Sequence, residues 1–470
     1  MQSKNQNKNT EKNIEKKHIH IVGICGVATS AIAIAFKDKG WKVTGSDKGF
    51  FPPVSTELEK NKIEFYPGWH PEKVGKPDII MTGGVGTSPN NPEVVHAKEN
   101  TIPIYSYAEI LEKYFIKDKS IVITGTWGKT TISSMISFIM IEAGLHPSYF
   151  TGGISLSHKT GEMSDSKWSV VEGDEYQVSI SDKRPKFIYY NPTHLLLTSV
   201  SWDHADLYPT EKSYFKVFED LVEKVKIIVA CNDNKGVKDI LKNKKYIKYG
   251  MTDESDYFYT DIIHSRNGLD FVIKNKDNVW KIHSPMLGKY NVENITGAFA
   301  MTHTIGIKPE IIIKAINNFI GIKRRLERRY VGNIDILDCH APTGEKASYV
   351  LESLREVYSG KIIAIFEPNI GGRQRESIEK YDNAFENADI VIIPKLTKLK
   401  IAENEENRPM EGDELAKVIS MTHNNVKYID DDTKLVETVK NQSETGDIIV
   451  FLGSHGFRGM IEETIEKISS

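Results

Sequence analysis

A chain of 470 residues, 39% hydrophobic and 27% charged, has the composition of a soluble globular protein and, at ~150 residues per domain, the length for about three. Its net charge of −3 supplies no field for nucleic acid or an acidic membrane surface, and no apolar run reaches the ~20 residues of a membrane span. The cysteines Cys25, Cys231 and Cys339 are scattered, with no CxxC pair, which argues against a disulfide framework and a zinc site and for a reducing, cytoplasmic setting.

Residues 1–17, "MQSKNQNKNTEKNIEKK", lack an apolar segment and read as a disordered polar tail, not a secretory signal. From His18, "HIHIVGICGVATSAIAIAFKDKGWKVTGSD" predicts strand, glycine turn, helix, glycine stop and strand, ending at Asp47. That is a Rossmann-like βαβ opening, with Gly23 and Gly26 at the turn instead of a full G-x-G-x-x-G. This first block, 18–115, closes at the polar joint "IKDK". The second block, 116–325, holds buried-strand runs at 120–124, "WSVVEGDEY", "THLLLTSVSW" and "KIIVACND". Between Lys242 and Pro285 short β-like runs and turns predict a small antiparallel insertion. The third block, 326–470, repeats strand and helix through "NIDILDCH", "GKIIAIFEP", "ADIVIIPK" and "GDIIVFLGS", a second Rossmann-like α/β unit.

The turn "TGTWGKTT", 124–131, joins a strand to a helix. Triphosphate binding needs a row of backbone N–H groups, a mobile cation and a hydroxyl for magnesium. Gly125, Thr126 and Gly128 would supply the backbone, Lys129 the cation, and Thr130, with Thr131 beside it, the hydroxyl. Ile123 breaks the strict G-x-x-x-x-G-K-[ST] pattern, and the plain alternative is a corner with an exposed lysine. Strand before, helix after and Lys-Thr-Thr in the turn favour binding of nucleotide phosphates. Glu172, Asp174 and Glu175 end one buried run, and Asp203, His204 and Asp206 end another. Strand C-termini of a parallel sheet meet at one edge, so these oxygens could hold Mg2+ beside the phosphates.

The turn has the T-G-T-x-G-K-T-T form of the Mur ligases, and the chain resembles that family from His18 to the C-terminus. "EGDEYQVSISDKRPKF" and "GSDKGFFPPVSTELE" look most like its murein peptide ligases, and the D-N-P-R signature of the L-lysine- or diaminopimelate-adding members is absent. The resemblance implies three α/β domains: a UDP-sugar-binding domain, a central P-loop ATPase domain and a peptide-binding domain. It implies ligation of UDP-N-acetylmuramate to the tripeptide L-alanyl-γ-D-glutamyl-meso-diaminopimelate in peptidoglycan recycling. ATP would be consumed through an acyl phosphate, with Mg2+.

Residue by residue, Glu172 and His204 match the holders of a second magnesium, and Thr130 would bind the first. Asn291 and Asn294 stand in the family's G-x-H-N-x-x-N, which recognises adenine; Tyr290 replaces its His, and a helix cap is the alternative role. Within "GIKRRLERR", Arg325 corresponds to a phosphate contact; with no interleaved aromatics the cluster gives little support to nucleic acid. Asp338 would bind ribose, in "LDCHAPTGEK", which is one residue short of the family form. Gly23, Gly26, Ser46 and Asp47 would hold the UDP-sugar, and Arg373 or Arg375 the peptide, since Asn369 replaces a family Arg. Trp127 stands where relatives carry His or Asn, at a position that offers backbone to phosphate. Two other readings stay open: a UDP-N-acetylmuramate–L-alanine ligase, and a nucleotide-binding relative that has lost ligation. Oligomeric state leaves no mark in the sequence.

Overall fold

The computed structural model describes residues 17–50, 54–83, 87–276, 278–397 and 408–469. The polar tail before Lys17, the Pro52–Pro53 pair and the start of the acidic stretch at 403–407 lie outside the described residues. Each of three blocks carries its own sheet.

The first sheet has five parallel strands in the order Glu64–Pro67, Lys42–Asp47, His18–Val22, Ile79–Thr82, Ile104–Ser106. Chain order reverses at His18–Val22, and its C-terminal turn therefore opens onto a crevice. Gly23 makes that turn at φ +87°, and its N–H donates to Ser46 O at 2.8 Å.

The central sheet has ten strands. Lys119–Thr124 lies between Trp168–Gly173 and His194–Leu197, both parallel to it. Its β-branched run is buried on both faces: Ile121 and Ile123 enter one core and Val122 the other, the two-sided burial a parallel strand requires. The first of these cores is closed by the helices Lys129–Glu142, Tyr290–Thr304 and Pro309–Asn318. The second continues into the first block, where Tyr107 and Phe115 meet Phe150 edge-on at 5.6 and 6.2 Å. The expected antiparallel segment is present and extends this sheet. Tyr257–Ser265 pairs parallel with Ile247–Gly250, and Gly268–Asn275 and Asn278–Ser284 extend the same sheet antiparallel.

The third sheet runs Glu327–Tyr330, Asp335–Cys339, Ile448–Gly453, Ile362–Glu367, Ile390–Pro394, Val426–Ile429, antiparallel only at its first edge. It docks on the central block through polar pairs. Arg266 reaches Asp335 at 2.6 and 2.7 Å, and Lys289 reaches Glu356 at 2.9 Å.

The loop between Phe150 and Gly161 borders the site described below. In it His158 stacks on Tyr149 at 5.1 Å, its Nδ1 lies 2.6 Å from Ser155 Oγ, and its Nε2 has no partner. Burial lowers its pKa from 6.5 to about 4. A histidine depressed in this way contributes its full stability above pH ~6.5 and loses it as pH falls to about 4, because the unfolded chain takes up the proton first. We expect on the order of 2–3 kcal/mol of acid-linked destabilisation over that window. Urea melts at stepped pH should show it, and His158→Phe should flatten that part of the profile.

Candidate active site at the strand–helix turn

Strand Lys119–Thr124 ends in Gly125 at φ +131°, and Gly128, at φ +82°, opens helix Lys129–Glu142. Both conformations favour glycine, and neither position has room for a side chain. A Cβ at Gly125 would stand 2.2 Å from Thr198 Oγ1, and one at Gly128 2.4 Å from Asn294 Oδ1. The helix has no side-chain cap, so its first-turn N–H groups, at Thr130 and Thr131, face outward as an anion cradle. Thr126 clamps the turn to the neighbouring strand end: its N–H donates to Ser199 O at 2.8 Å, and its Oγ1 accepts from Ser201 N at 2.9 Å. Trp127 contributes backbone, its N–H donating to Ser199 Oγ and its carbonyl accepting from Thr198, while its ring is 63% exposed. The tryptophan leaves the turn intact.

Lys129 Nζ lies 3.0 and 3.2 Å from the two oxygens of Glu175. Burial depresses the ammonium, but the carboxylates of Glu175 and Glu172 outweigh it and the net direction is up. Glu172 accepts from Thr130 Oγ1 at 2.8 Å and from Gly152 N at 2.9 Å. Burial pushes its carboxyl up against the pull of Lys129 and Thr130. His204, in the left-handed region at φ +54°, places Nε2 3.5 Å from Glu175 Oε1, and that hydrogen bond raises its pKa. Glu175 thus joins Lys129 and His204, and Glu172 joins the neighbouring Thr130 to Gly152. Glu175, 1% exposed, belongs to the acidic run read in the sequence, but nothing there marked it as the lysine's partner. The oxygens of Thr130 and Glu172 are donors of the kind magnesium prefers, and the uncapped turn fits a polyphosphate.

A cleft of about 330 Å³ reaches from Glu172 to the first block, lined by Gly23, Gly26, Thr29, Tyr107 and Lys186 among others. Lys186 bonds Asp174 at 2.6 Å and holds that carboxyl below its usual range against the cost of burial. Asp47 stabilises the glycine turn by accepting from Cys25 N at 2.9 Å.

Several expected residues are held by other groups of the protein. Ser46 is fully buried and its hydroxyl donates to Glu93, so it supports the turn from behind instead of facing the cleft. Asn291 and Asn294 are buried. Asn294 Nδ2 donates to Asn291 Oδ1 at 3.0 Å and Asn291 Nδ2 to Leu287 O at 2.7 Å, and Asn294 abuts Gly128. Asp338 lies 3.2 Å from Arg324 Nε, with Arg329 at 3.7 Å. Arg324 also donates to the carbonyls of Gly453, Ser454 and His455. That arrangement holds the linker and leaves neighbouring Arg325 exposed, with no ion pair among the described residues. Arg373 is 3% exposed and donates to Met410 O and Thr397 O at 2.8 and 3.0 Å. It is a strut of the third block, which leaves exposed Arg375 as the peptide-facing candidate.

Family models match almost end to end: "Mur ligase family, catalytic domain" over 18–117, "Mur ligase middle domain" over 123–302 and "Mur ligase, glutamate ligase domain" over 324–455. The UDP-N-acetylmuramate–L-alanine ligase of Pelagibacter ubique is 30% identical over 390 residues, 80% of this chain and 82% of that one. The UDP-N-acetylmuramate–L-alanyl-γ-D-glutamyl-meso-2,6-diaminoheptandioate ligase of Haemophilus influenzae is 26% identical over 463 residues, 96% and 99% of the two chains. A crystal structure of UDP-N-acetylmuramate–alanine ligase from Thermotoga maritima superposes with a TM-score of 0.79 at 21% identity, covering 96% and 99%. A glycine turn with lysine and threonine, carboxylates at the adjoining strand end and three successive sheets thus coincide with three successive domain models, and the chain belongs to the Mur ligase family of ATP-dependent amide ligases.

Proposed function

We propose that this protein joins the lactyl carboxylate of UDP-N-acetylmuramate to the amine of L-alanyl-γ-D-glutamyl-meso-diaminopimelate, with ATP converted to ADP and phosphate. The observation that carries the ligase chemistry is Glu172, which accepts from Thr130 beside the Lys129–Glu175 pair and also lines the cleft that contains Gly23 and Gly26. A carboxylate does not react with an amine at neutral pH, because its leaving group would be oxide. Phosphoryl transfer to the carboxylate gives an acyl phosphate; the amine then attacks the carbonyl, and phosphate leaves with the bonding electron pair. Lys129 exchanges Glu175 for the β/γ-phosphates and neutralises charge at the transferred group. Thr130, Glu172 and His204 would hold magnesium, which supplies Lewis-acid stabilisation of phosphate and carboxylate oxygens. Arg325, exposed on the linker, can follow the third block toward the γ-phosphoryl oxygens as the cleft closes and excludes water.

The tripeptide as acceptor is supported by "DKRPKF". Asp182 and Arg184 pair at 2.8 and 2.9 Å to fold this segment, and the fold delivers Lys186 to the cleft. The L-alanine reading is favoured by the 30% identity to the UDP-N-acetylmuramate–L-alanine ligase of Pelagibacter ubique. Purified protein with UDP-N-acetylmuramate, ATP and magnesium decides between them. ADP release with tripeptide and not with L-alanine is the expected result. Release with L-alanine alone replaces the acceptor, and nucleotide binding without turnover on either overturns ligation.

A further inference from the structure

Away from the Lys129 turn, a second cluster joins the central sheet to the helix above it. Cys231 is the last residue of strand Ile227–Cys231 and is 1% exposed. Asp233 follows two residues later, and Glu293 lies in the first turn of helix Tyr290–Thr304. One sulfur and one oxygen from each carboxylate lie within 4.8 Å of one another. Asp233 is held in place because Oδ2 accepts from Met251 N at 2.7 Å.

An independent feature points into the same space. Tyr249 sits directly opposite Cys231 on the neighbouring strand, is fully buried, and its hydroxyl has no hydrogen-bond partner. The hydroxyl lies against Gly297, one helical turn beyond Glu293, where an added Cβ would stand 3.1 Å away. A buried hydroxyl without a partner costs about 1–3 kcal/mol, and two carboxylates beside a thiol repel. A cation between them would relieve both.

We infer that Cys231, Asp233 and Glu293 form a binding site for a borderline-soft divalent transition cation of the zinc type, distinct from the magnesium site, with the Tyr249 hydroxyl bonding a metal-bound water. The thiolate selects zinc over magnesium, and three protein ligands with one water complete a tetrahedron. Binding displaces the thiol proton to solvent. Such an ion would pin the sheet edge to the helix that carries Asn291 and Asn294. Cysteine spacing argues against a zinc motif because two of the ligands are carboxylates and Glu293 is distant in sequence.

The test uses full-length, reduced, metal-stripped protein titrated with Co2+ and followed by absorption, then with Zn2+ in competition with a chromophoric chelator. One equivalent of cobalt with a thiolate-to-metal charge-transfer band is expected. Cys231→Ser should abolish the band, Tyr249→Phe should weaken zinc binding about tenfold, and Cys25→Ser should leave both unchanged. Thermal melts of the apo variants report whether each still folds, and Asp233→Asn, at an exposed side chain, gives the reading should Cys231→Ser fail. No band in the parent protein, a band that survives Cys231→Ser, one lost in Cys25→Ser, or zinc affinity unmoved by Asp233→Asn overturns the site.

Discussion

Lys129→Ala should reduce ligation to background, with kcat lowered by ~10³-fold or more, because the only cation inside the glycine turn meets the phosphate charge that builds in the transition state. The same substitution strands Glu175. That carboxylate is 1% exposed and rests on Lys129 at 3.0 Å, and breaking a buried pair from one side costs about 3–5 kcal/mol. Loss of activity in the single variant therefore mixes chemistry with folding. Pairing Lys129→Ala with Glu175→Gln separates them, since a neutral amide tolerates the site without the ammonium. Urea melts of the double variant should recover most of the lost stability, while ADP release stays at background. Near-wild-type turnover in either variant would remove Lys129 from the phosphate site.

Glu172→Ala should also abolish ligation, for a different reason. Its carboxylate accepts from Thr130 Oγ1 and Gly152 N, so it links the phosphate turn to the loop under the cleft as well as offering an oxygen to magnesium. Glu172→Gln keeps an oxygen for both donors and removes the charge. If the residue acts on magnesium, the Gln variant should remain folded, require much more magnesium for half-maximal activity and turn over at least ~10²-fold more slowly. Recovery of full activity by Gln at ordinary magnesium would assign Glu172 a bracing role only.

The sequence by itself determined the three sheets and the glycine turn. Continuous buried runs such as "SIVIT" and "HLLL" can be satisfied only by strands covered on both faces, and they became Lys119–Thr124 and His194–Leu197. Gly125 and Gly128 were legible because the strand-to-helix corner needs positive φ where a Cβ has no space. Lys129, Thr130 and Glu172 converge because parallel strands end at one edge, with Ile123 and Glu172 in register.

Tertiary structure alone decided how the polar side chains are shared out. Beyond the strand end at Gly173 the two-residue alternation lapses, so which of Glu172, Asp174 and Glu175 meets Lys129 depends on the loop path. The answer was Glu175 for the ammonium, Glu172 for Thr130 and Asp174 for Lys186. In the same way, Arg324 and not Arg325 holds the carbonyls of 453–455, Arg373 turned inward to Met410 and Thr397, and Ser46 turned to Glu93. Periodicity reports which residues leave water. It carries no information on which distant donor or acceptor a polar group will find there, because that partner is supplied by register and packing between elements far apart in the chain.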